Sequence, residues 1–509
     1  MTVGTAASIS GAPLTDDAAT WTRRALWSAG AVFALWAVLP PLVMPNITLD
    51  AAEGLVWAAG FELGYEKHPP LQAWLLKASL LIGRGSWAHV WMSAACAALM
   101  HLFVWRGARV VVGPAAAFWA SAALQTVFYV NYAIPEFNPN VLLLPVFAAA
   151  GWFALLALEK GRARDWIGLG LILGLGMYAK YTSAVIAIVI AAFFLLDPAG
   201  RKRLAAPWPY LGALAAGLVF LPHAMWVLAM RGETVDYVLD RAQIAEGFLG
   251  RLGNVGEFVL SAIGTSLFLL LAMLLGRSWR ARGVEGQSTE TSTFSPATRM
   301  VYALALGPFV VTLIAAVVFG FRIKSAWTAP FWTWAPLALL LALDIDVRAR
   351  AWRRGAATIA GFAAFALIAF LGVNSLGPRL SGEALRIHFP GAPLAAELER
   401  IWAEQGGEGP LPAIIGETFV AESAAHFAPS APVVRDHPNE ALNPWASDAF
   451  LAENGGLIVW DAYIDEGGGA ELVARYPRAA FVEVLELAPL TAGEAAPSRI
   501  GVAYLPPEP

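Results

Sequence analysis

Long apolar segments recur along most of the chain, and short polar stretches separate them. A helix that crosses a bilayer needs about 20 predominantly apolar residues. Nine segments approach that length: 25–44, 87–105, 111–131, 140–158, 208–228, 258–276, 300–320, 328–345 and 355–374. Each of them predicts one transmembrane helix, so the pattern is typical of a protein that crosses a membrane many times.

A further apolar run, from Trp166 to Leu196, is too long for one span and too short for two full spans. Basic residues flank it on both sides, at 160–164 and at 201–203. Because such residues favour the cytoplasmic side, both ends of the run should lie there. A hairpin of two short helices that turns at 179–182 satisfies this condition and brings the predicted total to eleven helices.

The distribution of basic residues predicts the orientation of the chain. Of the 34 Lys and Arg residues, 18 lie in loops assigned to the cytoplasm and 8 in loops assigned to the outside. An excess of Lys and Arg marks cytoplasmic loops. The amino-terminal tail is therefore expected inside, and an odd number of helices places the carboxyl terminus outside.

The pattern changes at about residue 375. Helical periodicity at 394–404 and 420–427 alternates with short, strand-like apolar runs at 413–416, 457–460, 481–484 and 500–504. Such alternation favours a small soluble α/β domain. The sequence thus predicts a cytoplasmic tail (1–24), a membrane domain (25–374) whose first external loop is 45–86, and an external domain (375–509).

The composition supports this class of protein. Hydrophobic residues make up 58% of the chain and charged residues only 14%, against about 25% in soluble domains. The formal net charge of -4 gives no reason to expect a nucleic-acid partner. Cys96 is the only cysteine, which excludes an intrachain disulfide. We therefore expect an α-helical polytopic membrane protein with a small α/β domain outside the membrane.

The first external loop concentrates ionisable residues just outside the bilayer, where such groups usually serve ions, ligands or chemistry. Asp50 follows the first span, and Glu53, Glu66, Lys67 and His68 lie in the same loop. A carboxylate there can act as general base towards a hydroxyl or amine, and Lys67 or His68 can hold a phosphate. Asp50 alone could equally be a helix cap. Together these residues indicate a membrane enzyme that acts on a lipid-phosphate substrate.

Other polar residues predicted on the same side extend this candidate site. They are Glu136, Lys180, Tyr181, His223, Arg241, Arg322 and Lys324. The cations could hold a lipid phosphate, although snorkelling to the membrane surface is the ordinary alternative. Glu66 and His223 would supply only two ligands to a divalent metal, whereas a catalytic zinc usually has three. The sequence shows no required cofactor, and a divalent metal stays an open alternative.

The order and spacing of several motifs resemble a known family. The first loop contains Asp50, Trp57, Gly64-Tyr65, His68-Pro69-Pro70-Leu71 and Trp74, and the stretches 174–181, 221–226 and 327–330 follow. This order resembles the C-type (GT-C) glycosyltransferases of the protein O-mannosyltransferase and lipid A aminoarabinose transferase kind. It is most similar to the bacterial branch that includes lipopolysaccharide galacturonosyltransferases. The similarity covers about the first 340 residues.

The chain departs from that pattern at three positions. Ala51 replaces the second acid of a usual Asp-Glu pair, Lys67 replaces a usual Asp, and Glu136 stands where Asp is common. The resemblance therefore leaves the sugar, the acceptor and any metal requirement open.

The resemblance implies a polyprenyl-phosphate sugar as donor. It also implies an envelope acceptor (lipid A, core oligosaccharide, another lipid or a protein) and a site on the periplasmic face of the bacterial inner membrane. Displacement at the anomeric carbon would invert its configuration, with Asp50 deprotonating the acceptor. His68 and Glu136 would orient the sugar or the acceptor. Four cations would neutralise the leaving phosphate: Lys67, Lys180, Arg322 and Lys324.

Three other functions are compatible with parts of the pattern. A transporter or flippase of lipid-linked sugars would be polytopic too, but transporters often show related halves, and here the charges cluster at one membrane face. A glycan ligase would transfer a preassembled glycan from a lipid carrier. A catalytically silent homologue is compatible with the missing acid at Ala51.

Overall fold

A computed structural model describes residues 17–85, 87–230, 244, 247–278, 295–462, 468–491, 493 and 495–508. The amino-terminal part is helical. Its helices are α1 (Ala18–Val38), α2 (Leu49–Ala58), α3 (Leu71–Leu80), α4 (Ala88–Ala108), α5 (Pro114–Ala122), α6 (Pro139–Lys160), α7 (Ala163–Ala179), α8 (Ala184–Leu196), α9 (Pro198–Leu204), α10 (Trp208–Ala229), α11 (Gly247–Gly276), α12 (Pro296–Phe319), α13 (Ala335–Ala342) and α14 (Trp352–Ser381).

Seven helices within the described ranges are long and apolar enough to cross a membrane, namely α1, α4, α6, α10, α11, α12 and α14. The bent pair α8–α9, with a 95° angle at its break, would make an eighth. The predicted multi-pass membrane architecture is confirmed. The predicted count of eleven spans is not confirmed within the described ranges. The segments predicted at 111–131 and 328–345 form shorter helices, and α7 and α8 of the predicted hairpin are short as well.

Polar side chains shorten the segment predicted at 111–131. Helix α5 ends at Ala122, and two 3-10 turns follow it. There the Thr126 hydroxyl donates to the Ala123 carbonyl, and the Asn131 amide donates to the Gln125 carbonyl at 2.7 Å. Side chains that bond nearby carbonyls compete with the helical backbone pattern. The segment predicted at 328–345 begins as a 3-10 helix (Ser325–Trp334) that contains Pro330 and precedes α13.

The run from Trp166 to Leu196 breaks at the predicted turn, where α7 ends at Ala179 and α8 begins at Ala184. Helix α7 packs against α6 and α10, whereas α8 packs mainly against α12. The α7–α10 contact requires glycine, because a Cβ added at Gly170 would lie 1.9 Å from the Gly212 carbonyl oxygen. The break between α7 and α8, at Lys180, therefore lies where these two helices diverge.

The carboxy-terminal part forms a five-stranded sheet flanked by helices. Its elements are α15 (Gly391–Glu404), β1 (Ala413–Gly416), α16 (Thr418–Phe427), β2 (Val433–Arg435), α17 (Asp448–Asn454), β3 (Gly456–Asp461), α18 (Gly468–Ala474), β4 (Ala480–Leu487) and β5 (Ser498–Leu505). The strand order is β2-β1-β3-β5-β4. Strand β1 is parallel to β2 and β3, while β5 is antiparallel to β3 and β4. The predicted α/β domain is confirmed.

The two faces of this sheet carry different helices. Ile414 points to the core shared with α15 and α16, and its neighbour Ile415 points to the core shared with Leu451 of α17. Successive strand residues face opposite sides of a sheet, so this alternation is expected. Helices thus cover both faces of the sheet.

The carboxy-terminal domain, predicted to be external, and the loop region between α1 and α4 share one hydrophobic core. Val56 and Trp57 of α2 are buried with Leu394 of α15 and Val420 of α16. The backbone N–H of Asn46 donates to the Ile387 carbonyl at 3.2 Å, just before α2. Helix α2 is apolar on most of its circumference, so its outward face needs cover as well. The carboxy-terminal domain provides that cover.

Candidate active site

Asp50 lies in the first turn of α2, where a negative charge is favoured by the helix dipole. Its carboxylate accepts a hydrogen bond from the Asn138 side chain. Asn138 is the N-cap of α6, and its Oδ1 accepts from the backbone N–H groups of Asn140 and Val141 at 2.9 and 3.0 Å. Because the amide oxygen is occupied, the Nδ2 group is the one that donates to Asp50.

Glu136 completes a pair of carboxyl groups with Asp50. Its side chain accepts a hydrogen bond from the backbone N–H of Asp50. Burial, reinforced by the charge of Asp50, raises the pKa of Glu136 to about 7. Burial also raises the pKa of Asp50, although the hydrogen bond from Asn138 and the charge of Lys180 oppose that rise. The hydrogen bond from Asn138 and the charge of Lys180 thus favour the ionised form of Asp50.

Two lysines lie beside this pair. The Lys180 ammonium donates to Asn140 Oδ1 at 2.8 Å and lies 5.2 Å from the ring centroid of Trp327. Lys324 is close enough for its charge to act on Lys180. Since the hydrogen-bond partner of Lys180 is a neutral amide, its positive charge stays available to an anion.

Lys67 and Glu53 form an ion pair at the edge of the same site, with 2.6 Å between Nζ and Oε1. Burial raises the pKa of Glu53, and the charge of Lys67 lowers it in turn. The charge of Lys67 also reaches Asp50. Lys67 therefore contributes less net positive charge than Lys180.

His68 is half-buried and contacts Trp57 edge to face, with 6.0 Å between ring centroids. Burial, with Lys180 and Lys67 close by, lowers the pKa of His68 to about 3. The imidazole is thus neutral at physiological pH. It can serve a ligand as a hydrogen-bond donor or acceptor, not as a cation.

Tyr181 and His223 form a separate pair. The carbonyl of Leu63 can only accept, so His223 Nδ1 donates to it at 2.5 Å, and Nε2 accepts from the Tyr181 hydroxyl at 2.9 Å. Both ring nitrogens are therefore engaged: Nδ1 fastens the first loop to α10, and Nε2 fastens the turn between α7 and α8 to the same helix. Glu66, the other half of the metal site considered above, has no hydrogen bond or ion pair within the described ranges.

Two cations of the predicted site, Arg322 and Arg241, are not placed beside Asp50 by the described residues. Arg322 forms a two-pronged pair with Glu257, at 2.8 and 2.9 Å, on the exposed surface. The carboxylate of Glu257 therefore largely balances the positive charge of Arg322. Arg241 lies outside the described residues. Of the predicted residues, the structure thus brings together Asp50, Glu53, Lys67, His68, Glu136, Lys180 and Lys324.

Sequence reasoning missed three residues of this centre. Asn138 and Asn140 orient the base and the lysine, and the sequence Asn138-Pro139-Asn140 at a helix start is a signal that could have identified them. Arg386 lies beyond the last span, yet its charge acts on both Asp50 and Glu136. Nothing in the local sequence indicates that long-range approach.

Comparisons with known proteins identify a matching family and two similar sequences. Residues 67–226 match the family described as dolichyl-phosphate-mannose-protein mannosyltransferase. The lipopolysaccharide core galacturonosyltransferase RgtA of Rhizobium johnstonii is 26% identical over 454 residues, which cover 86% of this chain and 87% of that protein. The lipid A galacturonosyltransferase RgtD of the same organism is 29% identical over 269 residues, 48% of this chain and 54% of that protein.

A solved structure shares the fold. ArnT from Cupriavidus metallidurans, crystallised with undecaprenyl phosphate, superimposes with a TM-score of 0.63 at 15% identity and covers 95% of this chain and 98% of that chain. The resemblance predicted from the motifs is confirmed, and the relatives support a membrane glycosyltransferase. The chain has the fold of ArnT.

Proposed function

We propose that this protein transfers a sugar from a polyprenyl-phosphate donor to a cell-envelope acceptor at the periplasmic face of the bacterial inner membrane. The observation that carries the proposal is the position of Asp50 beside Lys180, whose charge acts on the Asp50 carboxylate. A base and a phosphate-binding cation thus adjoin at the end of the membrane helices. Displacement of a lipid phosphate by an acceptor requires these two groups together.

The reaction that fits this arrangement is a single displacement. The Asp50 carboxylate takes the proton of the acceptor hydroxyl, while that oxygen forms a bond to the anomeric carbon. The bond from that carbon to the phosphate oxygen breaks on the opposite side, and the lipid phosphate leaves with the electron pair. Attack and departure on opposite sides invert the anomeric configuration.

Lys180 acts on the leaving group. Negative charge develops on the bridging phosphate oxygen as the bond breaks, and a fixed cation stabilises that charge. The bond to Asn140 and the face of Trp327 hold the ammonium in place. Lys324 and Lys67 add positive charge around the same position, whereas Arg322, paired with Glu257, is a weaker candidate than the sequence implied.

The names of the relatives support the proposed classes of donor and acceptor. ArnT was crystallised with a polyprenyl phosphate, and RgtA and RgtD are named for transfer of galacturonic acid to lipopolysaccharide core and lipid A. We therefore propose a lipid-linked donor and a glycolipid acceptor for this chain. A uronic acid is the first sugar to test.

Transfer in detergent is the direct experiment. Purified protein is incubated with a polyprenyl-phosphate uronic acid and with lipid A–core glycolipid from cells that lack the gene. We expect the glycolipid to gain the mass of one sugar. Transport cannot give that product in detergent, because no membrane barrier is present. A glycolipid that stays unmodified with this donor and with other polyprenyl-phosphate sugars would contradict the proposal.

The pH dependence of sugar transfer should reflect the protonation state of Glu136. Its carboxyl is protonated below a pKa of about 7 and ionised above it. Ionisation adds a negative charge beside Asp50 and the departing phosphate, so we expect activity to fall as the pH rises through about 7. Glu136→Gln keeps a neutral side chain at every pH and should lack the fall near pH 7. It should keep a later fall, because burial lowers the pKa of Lys180 to about 8 and the phosphate-binding charge is lost above that pH. Profiles of kcat/KM from about pH 5 to about pH 9 test this. The same fall in the Gln variant would assign the titration to another group.

A further inference from the structure

The sheet of the external domain has a topological switch point beside the membrane. The chain leaves β1 for β2 on one side of it and returns to β3 on the other side. Helices α16 and α17, which follow β1 and β2, cover opposite faces of the sheet. In open α/β sheets, ligands bind in the crevice outside the carboxyl ends of the two strands that flank such a point. Here those strands are β1 and β3, which are parallel neighbours.

A cleft of about 260 Å³ lies at this point, and two carboxylates line it. Glu417 directly follows β1, and Asp461 is the last residue of β3. We call it the sheet-edge crevice and define it by Arg386, His388, Phe389, Glu417, Asp461 and Ser498. Its volume lies just below the range of about 300–1,000 Å³ typical of drug-sized ligands, so it suits a group of monosaccharide size.

Arg386 connects the sheet-edge crevice with the catalytic centre. Its guanidinium lies 5.7 Å from the Phe419 ring centroid, and its charge acts on Glu417 as well as on Asp50 and Glu136. The hydrogen bond from Asn46 to the carbonyl of Ile387 fastens the Arg386 turn to the chain just before α2. The sheet-edge crevice therefore adjoins the catalytic carboxylates.

The charges of the crevice disfavour an anionic ligand, and its polar groups suit a hydroxyl-rich one. Its defining residues include one permanent cation and two acids, and buried His388 accepts the Leu385 N–H at Nδ1, which keeps that nitrogen unprotonated. A phosphate group would be repelled by Glu417 and Asp461 together. Carboxylates accept hydrogen bonds from hydroxyls, and a guanidinium donates to hydroxyl or ring oxygens. Sugar hydroxyls match that set of groups.

We propose that the sheet-edge crevice binds an uncharged saccharide unit of the acceptor, and that Arg386 guides the accepting hydroxyl towards Asp50. This inference rests on the proposed function for its ligand, because a glycosyl acceptor must reach Asp50. The donor phosphate occupies the Lys180 side of Asp50, and the acceptor enters from the side of the external domain. The external domain thereby selects the acceptor, and the membrane helices select the donor.

Direct binding tests the crevice without relying on catalysis. The probe is the lipid-free core oligosaccharide from cells that lack the gene, titrated into the full-length protein in detergent by calorimetry. We expect the Glu417→Gln, Asp461→Asn double variant to bind it at least about tenfold more weakly, because two charge-assisted hydrogen bonds weaken. Binding of undecaprenyl phosphate, followed by tryptophan fluorescence, should change less than about twofold in the same variant.

Matched variants separate the crevice from general damage. Glu453→Gln removes an exposed carboxylate of α17 and should leave oligosaccharide binding unchanged. Glu417→Gln alone alters an exposed side chain and should weaken binding while the protein keeps its melting temperature. Equal affinities of the double variant and the parent, or no binding by the parent, would overturn the inference. If the parent binds the oligosaccharide and the double variant does not, the crevice is supported, whether or not the parent transfers sugar. Absence of transfer by the parent would contradict only the proposed function.

Discussion

Replacement of Asp50 by Asn should reduce sugar transfer by about 10³-fold, within the range of about 10²–10⁴ attributed to general bases. Asn can still accept the hydrogen bond from Asn138, so the local structure should persist. It cannot take the proton of the acceptor. The measurement is the initial rate of transfer in detergent, together with undecaprenyl phosphate binding, which should be close to that of the parent.

Glu66→Gln is the matched control for this variant. Glu66 is an acid of the same loop without a hydrogen bond or ion pair among the described residues, so its replacement should change the rate less than about threefold. Transfer by Asp50→Asn at close to the parental rate would remove Asp50 as the base. The C-type fold would be unaffected by that result, because it rests on other observations.

Replacement of Lys180 by Ala should lower kcat/KM by about 10²-fold, because a fixed positive charge beside the departing phosphate is lost. The loss should appear in binding of undecaprenyl phosphate as well, since the free lipid phosphate carries the same charge. Acceptor binding should change little, because Lys180 is not among the residues that line the sheet-edge crevice. Fluorescence of Trp327, 5.2 Å from the Lys180 ammonium, is a convenient signal for the lipid titration.

Lys160→Ala provides the comparison for the lysine. Lys160 ends α6 with an exposed side chain, whereas Asn140, the partner of Lys180, lies in the first turn of the same helix. Its replacement should leave donor binding unchanged. Lys180→Arg keeps the charge with a different shape and should recover part of the donor affinity. Equal weakening of donor and acceptor by Lys180→Ala would contradict a phosphate-holding role.

The membrane class and the centre of the site were predictable because both depend on strong local signals. A run of apolar residues needs lipid whatever its neighbours are, and ionisable residues beside such runs are costly without a role. Asp50, Lys67 and His68, which the structure brings together, were predicted for this reason. The turn at Lys180 was found because basic flanks constrained both ends of one apolar run.

Other features depend on contacts between distant parts of the chain. Nothing in the sequence pairs Arg322 with Glu257 or engages both nitrogens of His223, so both residues looked more available than they are. The segment predicted at 111–131 is not one long helix, because Thr126 and Asn131 bond backbone carbonyls, an effect that a hydropathy average does not register. Arg386 approaches Asp50 only after the external domain has folded onto the first loop.

The core shared by α2 and the external domain also imposes an order on the maturation of this protein. Val56 and Trp57 obtain their outer neighbours from segments that the ribosome makes after α14. Until those segments have been made and have folded, the helix that carries Asp50 has an uncovered apolar side. Asp50 is therefore expected to reach its final position only after the carboxy-terminal sheet has formed.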